Sequence, residues 1–176
     1  MRFEAEGRVE GADVETVYEI IRDRLPDLVP FMDNVAEIVE LERNAREDGV
    51  NVLNRWRADP GQVPAVARKF IKPNMLEWLD HADWSDQDHW VNWRIESAVF
   101  TDMYRCDGRN AVVADGDGAR IVIQGELTVD PKRLPGVPSF MAKRMLPTVE
   151  AYLVSRMKPN MAALGVGVSR FLATKS

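Results

Sequence analysis

Apolar and polar positions along the chain change period several times, and each change marks an element. Phe3, Ala5 and Gly7 alternate with Arg2, Glu4, Glu6 and Arg8, which predicts a first strand ending at Gly11. Asp13 then offers an N-cap, and Val14, Val17, Tyr18 and Ile21 fall at helical spacing until Pro26 closes the stretch, with a second short helix over Asp27 to Phe31. Val35 to Arg46 reads as a strand and Glu47-Asp48-Gly49 as a hairpin turn. The return strand, Val50 to Asp59, puts Val50, Val52, Asn54 and Trp56 on one face. After Pro60-Gly61, the residues Val63, Val66, Ala67, Phe70 and Ile71 recur at helical spacing between Pro64 and Pro73, so an amphipathic helix is predicted near 63–72.

Period two then returns in Leu76, Trp78, Ala82 and Trp84. Ser85 to Asp88 turns the chain into a partner strand carrying Val91, Trp93 and Ile95. Residues 103–114 continue the sheet, with a bulge or turn expected at Asp107-Gly108, and Asp115-Gly116-Asp117-Gly118 leads into a last strand, Ala119 to Val129. Beyond a Pro-rich turn a helical pattern runs from Ser139 towards Phe171. Met141, Met145, Val149 and Tyr152 lie three or four apart on it and are predicted to face the sheet, and Pro147 and Pro159 to kink or interrupt it. The order is strand, two helices, six strands, helix, with an additional helix between strands. No repeat, linker or low-complexity tract divides it, so one domain over 1–176 is expected.

Composition narrows the setting. At 176 residues the chain is long enough for one domain with a real core, and 45% apolar with 29% charged residues is ordinary globular composition. No stretch reaches the roughly 18 uninterrupted apolar residues of a membrane span. The start lacks the apolar core of a secretory signal and the lone Cys106 has no internal partner, so a cytoplasmic location is expected. A net charge of −5 argues against a broad nucleic-acid surface.

The element order, the Gly-Glu-Leu-Thr-Val segment at Gly125 to Val129 and the Pro-Gly-Val-Pro-Ser-Phe run at Pro135 to Phe140 resemble the START-like helix-grip superfamily, also called SRPBCC or polyketide-cyclase-like. The likeness spans nearly the whole chain. It implies an α+β fold in which a curved seven-stranded antiparallel sheet wraps around a long C-terminal helix, with two short helices after the first strand. The helix near 63–72 departs from the minimal pattern. The resemblance also implies an apolar cavity between sheet and terminal helix, and a ligand that is a lipid or other hydrophobic small molecule.

Candidate ligand-binding residues follow from the phase of each element. The sheet offers Val39 and Leu41, Asn54 and Trp56, Trp78, Trp93 and Ile95, and Ile123; the terminal helix offers Met141, Met145, Val149 and Tyr152. Asn54 and Asp80 fall in phase with apolar neighbours, so facing inward they need a polar partner and become candidate anchors for a ligand head group. Phe70, with Arg68, Lys69 and Lys72 beside it, belongs to a segment suited to a cavity mouth and to transient contact with a membrane surface.

Other chemistry finds less support. His81 and His89 stand among acidic residues without metal-ligand spacing, and Asp115 to Gly118 lacks the remaining positions of a calcium loop, so no metal is expected. No nucleophile elbow, phosphate loop or dinucleotide fingerprint occurs, and no cofactor is expected. Binding or transfer of a hydrophobic molecule is therefore the leading reading. The alternative is a cyclase or aromatase acting on a polyketide-like substrate, for which Asp80, Tyr104, Tyr152 and Glu96 are the candidate acids and bases. An interaction module presenting an apolar outer sheet residue such as Trp90 is a third.

Overall fold

Seven stretches of two-residue alternation become seven strands in the computed structural model. It describes residues 1–62, 72–97, 99, 103–133 and 139–175, apart from the side chains of Gln62, Ser139, Phe140 and Arg156. The strands are β1 (Arg2–Val9), β2 (Val35–Arg46), β3 (Gly49–Ala58), β4 (Glu77–Ser85), β5 (Trp90–Ser97), β6 (Tyr104–Asp115) and β7 (Gly118–Val129). Among the described residues every strand pair is antiparallel and the order is β1-β7-β6-β5-β4-β3-β2, in which β1 and β7 are neighbours that do not follow one another in the chain. The curved sheet holds a long C-terminal helix, as the α+β helix-grip expectation requires.

Between β1 and β2 run α1 (Val14–Asp23) and a 3-10 stretch, Leu25–Phe31. Asp13 caps α1, its side chain accepting from the Thr16 amide at 2.8 Å. Pro26 and Pro30 deny the second segment the donors of a regular α-helix. Val17, Tyr18, Ile20 and Ile21 are buried by α1, and the Tyr18 ring meets Trp84 edge to face at 5.5 Å. The helix predicted near 63–72 falls on residues 63–71, outside the described residues. Lys72 is exposed and precedes a 3-10 turn, Pro73–Leu76, so Leu76 ends that turn and β4 starts one residue later.

Two expectations about the sheet are corrected. Val39 and Leu41 do not form its inner wall: β2 carries register irregularities between Val35 and Glu37 and between Glu40 and Glu42. Ile38 is buried instead, while Leu41 is 46% exposed. The second concerns Asp107-Gly108, which is neither turn nor bulge. The β6–β7 register runs unbroken from Tyr104 opposite Val129 to Asp115 opposite Gly118. Gly108 is needed for space, since a Cβ there would lie 2.5 Å from Trp93 Cζ2 and 2.1 Å from the Gln124 carbonyl oxygen.

The terminal helix α2 (Ser139–Ala173) runs through both Pro147 and Pro159 rather than being interrupted. Each proline frees a carbonyl one turn back, on Lys143 and on Ser155, and both residues are exposed so water can satisfy it. The helix seats on β1 and on the 3-10 stretch. Gly165 lies backbone to backbone against Gly7, Gly167 lies against the Met32 side chain, and the Phe171 ring meets Phe31 edge to face at 5.9 Å.

Candidate functional site

A cavity of about 430 Å³ lies between the concave face of the sheet and α2. Strand alternation supplies most of its wall. On β3 and β4, cross-strand pairing sets Trp56 opposite Trp78 and Asn54 opposite Asp80; the two indoles stack at 5.8 Å with an 18° interplanar angle. Asp80 also pairs with Ile95 of β5, and Ala82 with Trp93. Trp93 lies over Gly108, and its indole N–H donates to Asn110 Oδ1 at 2.7 Å, which fixes the ring as part of the wall. Ile123 and Leu127 of β7 continue the lining, Ile21 and Leu25 come from the N-terminal helical segments, and Leu153, Met157, Met161 and Leu164 come from α2.

Of the residues expected from sequence, Trp56, Trp78, Asp80, Trp93, Ile95 and Ile123 line this cavity. Asn54 is buried behind it, beside Asp80. Phe70 lies outside the described residues.

The helix stripe needs correction. Met141, Met145 and Tyr152 are 44%, 39% and 60% exposed, and Val149 is half-buried away from the lining. Contact between α2 and β1 sets the rotation, and Leu146, Leu153, Met157 and Met161 turn inward. Apolar residues surround this helix on nearly all sides, so periodicity alone does not choose the buried face.

Polar groups on the wall are few and one-sided. Among the described residues the charged side chains lining the cavity are Asp80 and Glu77, both acidic. Burial pushes the Asp80 carboxyl up to about 6, against the opposing effect of Trp56 and Asn54. The Trp56 indole N–H is buried beside it and stops short of hydrogen-bond geometry. Tyr104 also faces the cavity, its hydroxyl raised by burial against a hydrogen bond with Ser97.

The remaining candidate acids are elsewhere. Glu96 sits on the outer face, 3.2 Å from His81 Nε2, and Tyr152 is on the solvent side of α2. His89 approaches Glu15 at 2.6 Å, and among the described residues no three His, Cys, Asp or Glu side chains gather as a metal site. Trp90 is half-buried beneath the Arg109 guanidinium, 4.3 Å from its ring centre.

Cys106 is fully buried in β6, and burial, with the Asp107 charge, pushes its thiol up to about 12. A group that is neither exposed nor ionised is a poor nucleophile. The folded protein is expected to resist an aromatic disulfide thiol reagent at pH 8 and to react stoichiometrically once unfolded in urea. Rapid labelling of the native state would restore Cys106 as a reactive group.

Sequence reasoning missed Met32, Asn34, Met75, Met103, Asn110 and Asn160 as lining residues. Asn110 was legible in principle, since it lies in phase with Cys106 and Val112 on β6. Met32, Asn34, Met75 and Met103 stand outside the strands, where no period assigns a direction.

A seven-stranded antiparallel sheet closed over a cavity by a long C-terminal helix defines the START-like helix-grip fold. Solved structures with the same fold include the protein TTHA0849 from Thermus thermophilus, with 22% identity over 100% of both chains and a TM-score of 0.67. The aromatase/cyclase ZhuI of a Streptomyces species is 13% identical over 97% of this chain and 93% of its own, with a TM-score of 0.66. A START superfamily protein from Mycobacterium smegmatis is 15% identical over 97% and 98%, with a TM-score of 0.59. No family model and no curated protein matches the sequence. Among the described residues no helix is long and apolar enough to cross a membrane.

Proposed function

We propose that the chain is a single START-like domain that binds or transfers a hydrophobic small molecule between its sheet and α2. The observation that carries this is the cavity of about 430 Å³, lined chiefly by indole, aliphatic and methionine side chains. That volume is in the range of small-molecule sites, which combine an apolar wall with a few orienting polar groups. Burying about 250 Å² of hydrocarbon there would contribute about 6 kcal/mol before the cost of ordering the ligand. The methionines suit a site that adapts to its ligand, because an unbranched thioether repacks at low cost. The reading of the segment near 63–72 as cavity mouth and transient membrane contact belongs to this proposal, and apart from Lys72 it lies outside the described residues.

N-phenylnaphthylamine, a neutral probe that brightens in apolar surroundings, tests it. Saturable one-site binding is expected, together with a co-purifying small molecule in native mass spectrometry. Ala82→Phe, which projects a ring into the cavity from a position 5% exposed, is expected to weaken probe binding at least about tenfold. Absence of one-site binding by the unmodified protein, or full binding by a folded Ala82→Phe, would overturn the proposal.

A second reading, an enzyme of the cyclase or aromatase kind, is favoured by one specific observation. Asp80 has an acid strength suited to proton transfer near neutrality and faces the same space as Tyr104. It requires that turnover of a poly-β-ketone substrate collapse in Asp80→Asn while that variant still binds N-phenylnaphthylamine.

A further inference from the structure

The cavity wall is asymmetric in charge as well as apolar. Two carboxylates line it, and no lysine or arginine does among the described residues. Asp80 has the stranger position. Its neighbours are the Asn54 amide and the Trp56 indole, both neutral, and no cation among the described residues pairs with it. The acidic side chains of the outer face are treated differently: Glu37 meets Arg55 and Arg57 at 3.5 and 3.4 Å, and Asp83 meets Arg46 at 2.6 Å. The adjacent strand therefore carries arginines, but they answer the outward carboxylates, and among the described residues none answers the inward one.

Aromatic groups share the cavity wall with this carboxylate. Trp78 is two residues before Asp80 on the same face of β4 and stacks on Trp56; Trp84, Trp93 and Tyr104 line the same cavity. Indole faces attract cations through their quadrupole, and more strongly when water is excluded. A carboxylate with no cation beside it among the described residues, on a wall of indoles and apolar groups, rejects anions by charge. It offers a cation both an ion pair and ring faces.

We infer that the ligand is a hydrophobic amine, held through a protonated nitrogen at Asp80 and among the indoles of Trp56, Trp78 and Trp93, rather than a fatty acid or other anionic lipid. This rests on the binding reading proposed above and adds the chemical class of the ligand. The ammonium supplies the missing counter-ion of Asp80, while the hydrocarbon part lies against Ile123, Leu153 and Met157. Asn54 is a positioning residue, buried behind Asp80 and directly opposite it across β3 and β4. Burial raises the carboxyl when the cavity holds no cation, and a bound ammonium favours its ionised form.

Three probes of equal shape and different charge test the inference by isothermal titration calorimetry: naphthylethylamine, naphthylethanol and naphthylacetic acid. With the unmodified protein the amine is expected to bind at least about tenfold more tightly than the alcohol, and the acid more weakly than both. Asp80→Asn, which keeps the shape and removes the charge, is expected to bring amine and alcohol to equal affinity. Glu77→Gln, at the start of β4, is expected to keep most of the amine preference. If the alcohol or the acid binds as well as the amine while N-phenylnaphthylamine still binds at one site, this inference falls and the cavity reading stands. If neither the three probes nor N-phenylnaphthylamine bind, both fall. An amine preference that survives in Asp80→Asn also overturns it, because the cation would then be recognised elsewhere.

Discussion

Asp80→Asn is expected to make the ligand-free protein more stable at pH 7, by about 1–3 kcal/mol, and to leave its stability unchanged below pH 4. The direction follows from proton counting. In the folded protein burial holds the Asp80 carboxyl near 6, whereas its ordinary value is 3.8. Between those two values the folded state keeps a proton that the unfolded state has released, so stability declines as pH rises through this window. Above about pH 6 the folded state carries an ionised group in a poorly solvating wall, a difference worth about 3 kcal/mol at most. Asparagine removes that cost while keeping the shape of the side chain. Urea denaturation at pH 4 and pH 7.5 measures the effect, and a variant less stable than the parent at pH 7.5 would mean that the charge is compensated within the fold. On the inference above, the same carboxylate costs stability in the empty protein and would gain a partner from a bound cation, the exchange often seen between function and stability.

Gly165→Val is expected to destabilise the protein by about 2–3 kcal/mol and to abolish probe binding in whatever fraction remains folded. A Cβ at Gly165 would lie 2.7 Å from both the Cα and the carbonyl carbon of Gly7. These are backbone atoms of a paired strand, Gly7 standing opposite Ile121 in β7, so they cannot step aside as a flexible side chain would. The helix must lift from β1 instead. Leu164, next to Gly165 in sequence, and Met161, one turn earlier, line the cavity, so displacing this turn also displaces the roof. A lowered urea midpoint with N-phenylnaphthylamine affinity lost in step is the expected result. Wild-type stability would show that β1 and α2 separate at little cost, and that the glycine contact does not set the roof.

These effects locate what makes this helix-grip fold a container. Towards its C-terminal half α2 is held close by Gly165 and Gly167, which let it touch β1 and the Met32 side chain, and by Phe171 against Phe31; nearer its N-terminus Glu150 ties it to the Val129 amide at 3.3 Å. Leu153 and Met157 span the open part of the concave sheet. Between these attachments the concave sheet and the inward side of α2 leave a space that four tryptophans line, since Trp56, Trp78, Trp84 and Trp93 all border it. The Trp84 end is closed by Tyr18, whose hydroxyl donates to Asp86 at 2.9 Å. At the other end the wall consists of Trp56, Trp78, Ser97 and Tyr104.

Much of this was readable from the chain alone. Strand alternation placed Trp56, Trp78, Trp93, Ile95 and Ile123 on one face and brought Asn54 and Asp80 into phase with them. A period of two leaves a side chain only two directions, and a single buried face selects one. The same rule failed on β2, where irregular pairing shifted Val39 and Leu41 out of phase. Helical periodicity was weaker still on α2. Met141, Met145, Val149 and Tyr152 form one apolar stripe and Leu146, Leu153, Met157 and Met161 another, and local spacing has no means of ranking them.

The amino-acid sequence by itself determined the order of elements, the antiparallel sheet and the polar pair Asn54 and Asp80, because these depend on backbone periods, turn residues and one-face burial. Only the tertiary structure decided the rotation of α2, the presence of a cavity between it and the sheet, and the lack of a cation beside Asp80 among the described residues. Each is a matter of what lies across space from a residue: the backbone of Gly7 against Gly165, a void where side chains stop short of meeting, and arginines that pair on the far side of the sheet.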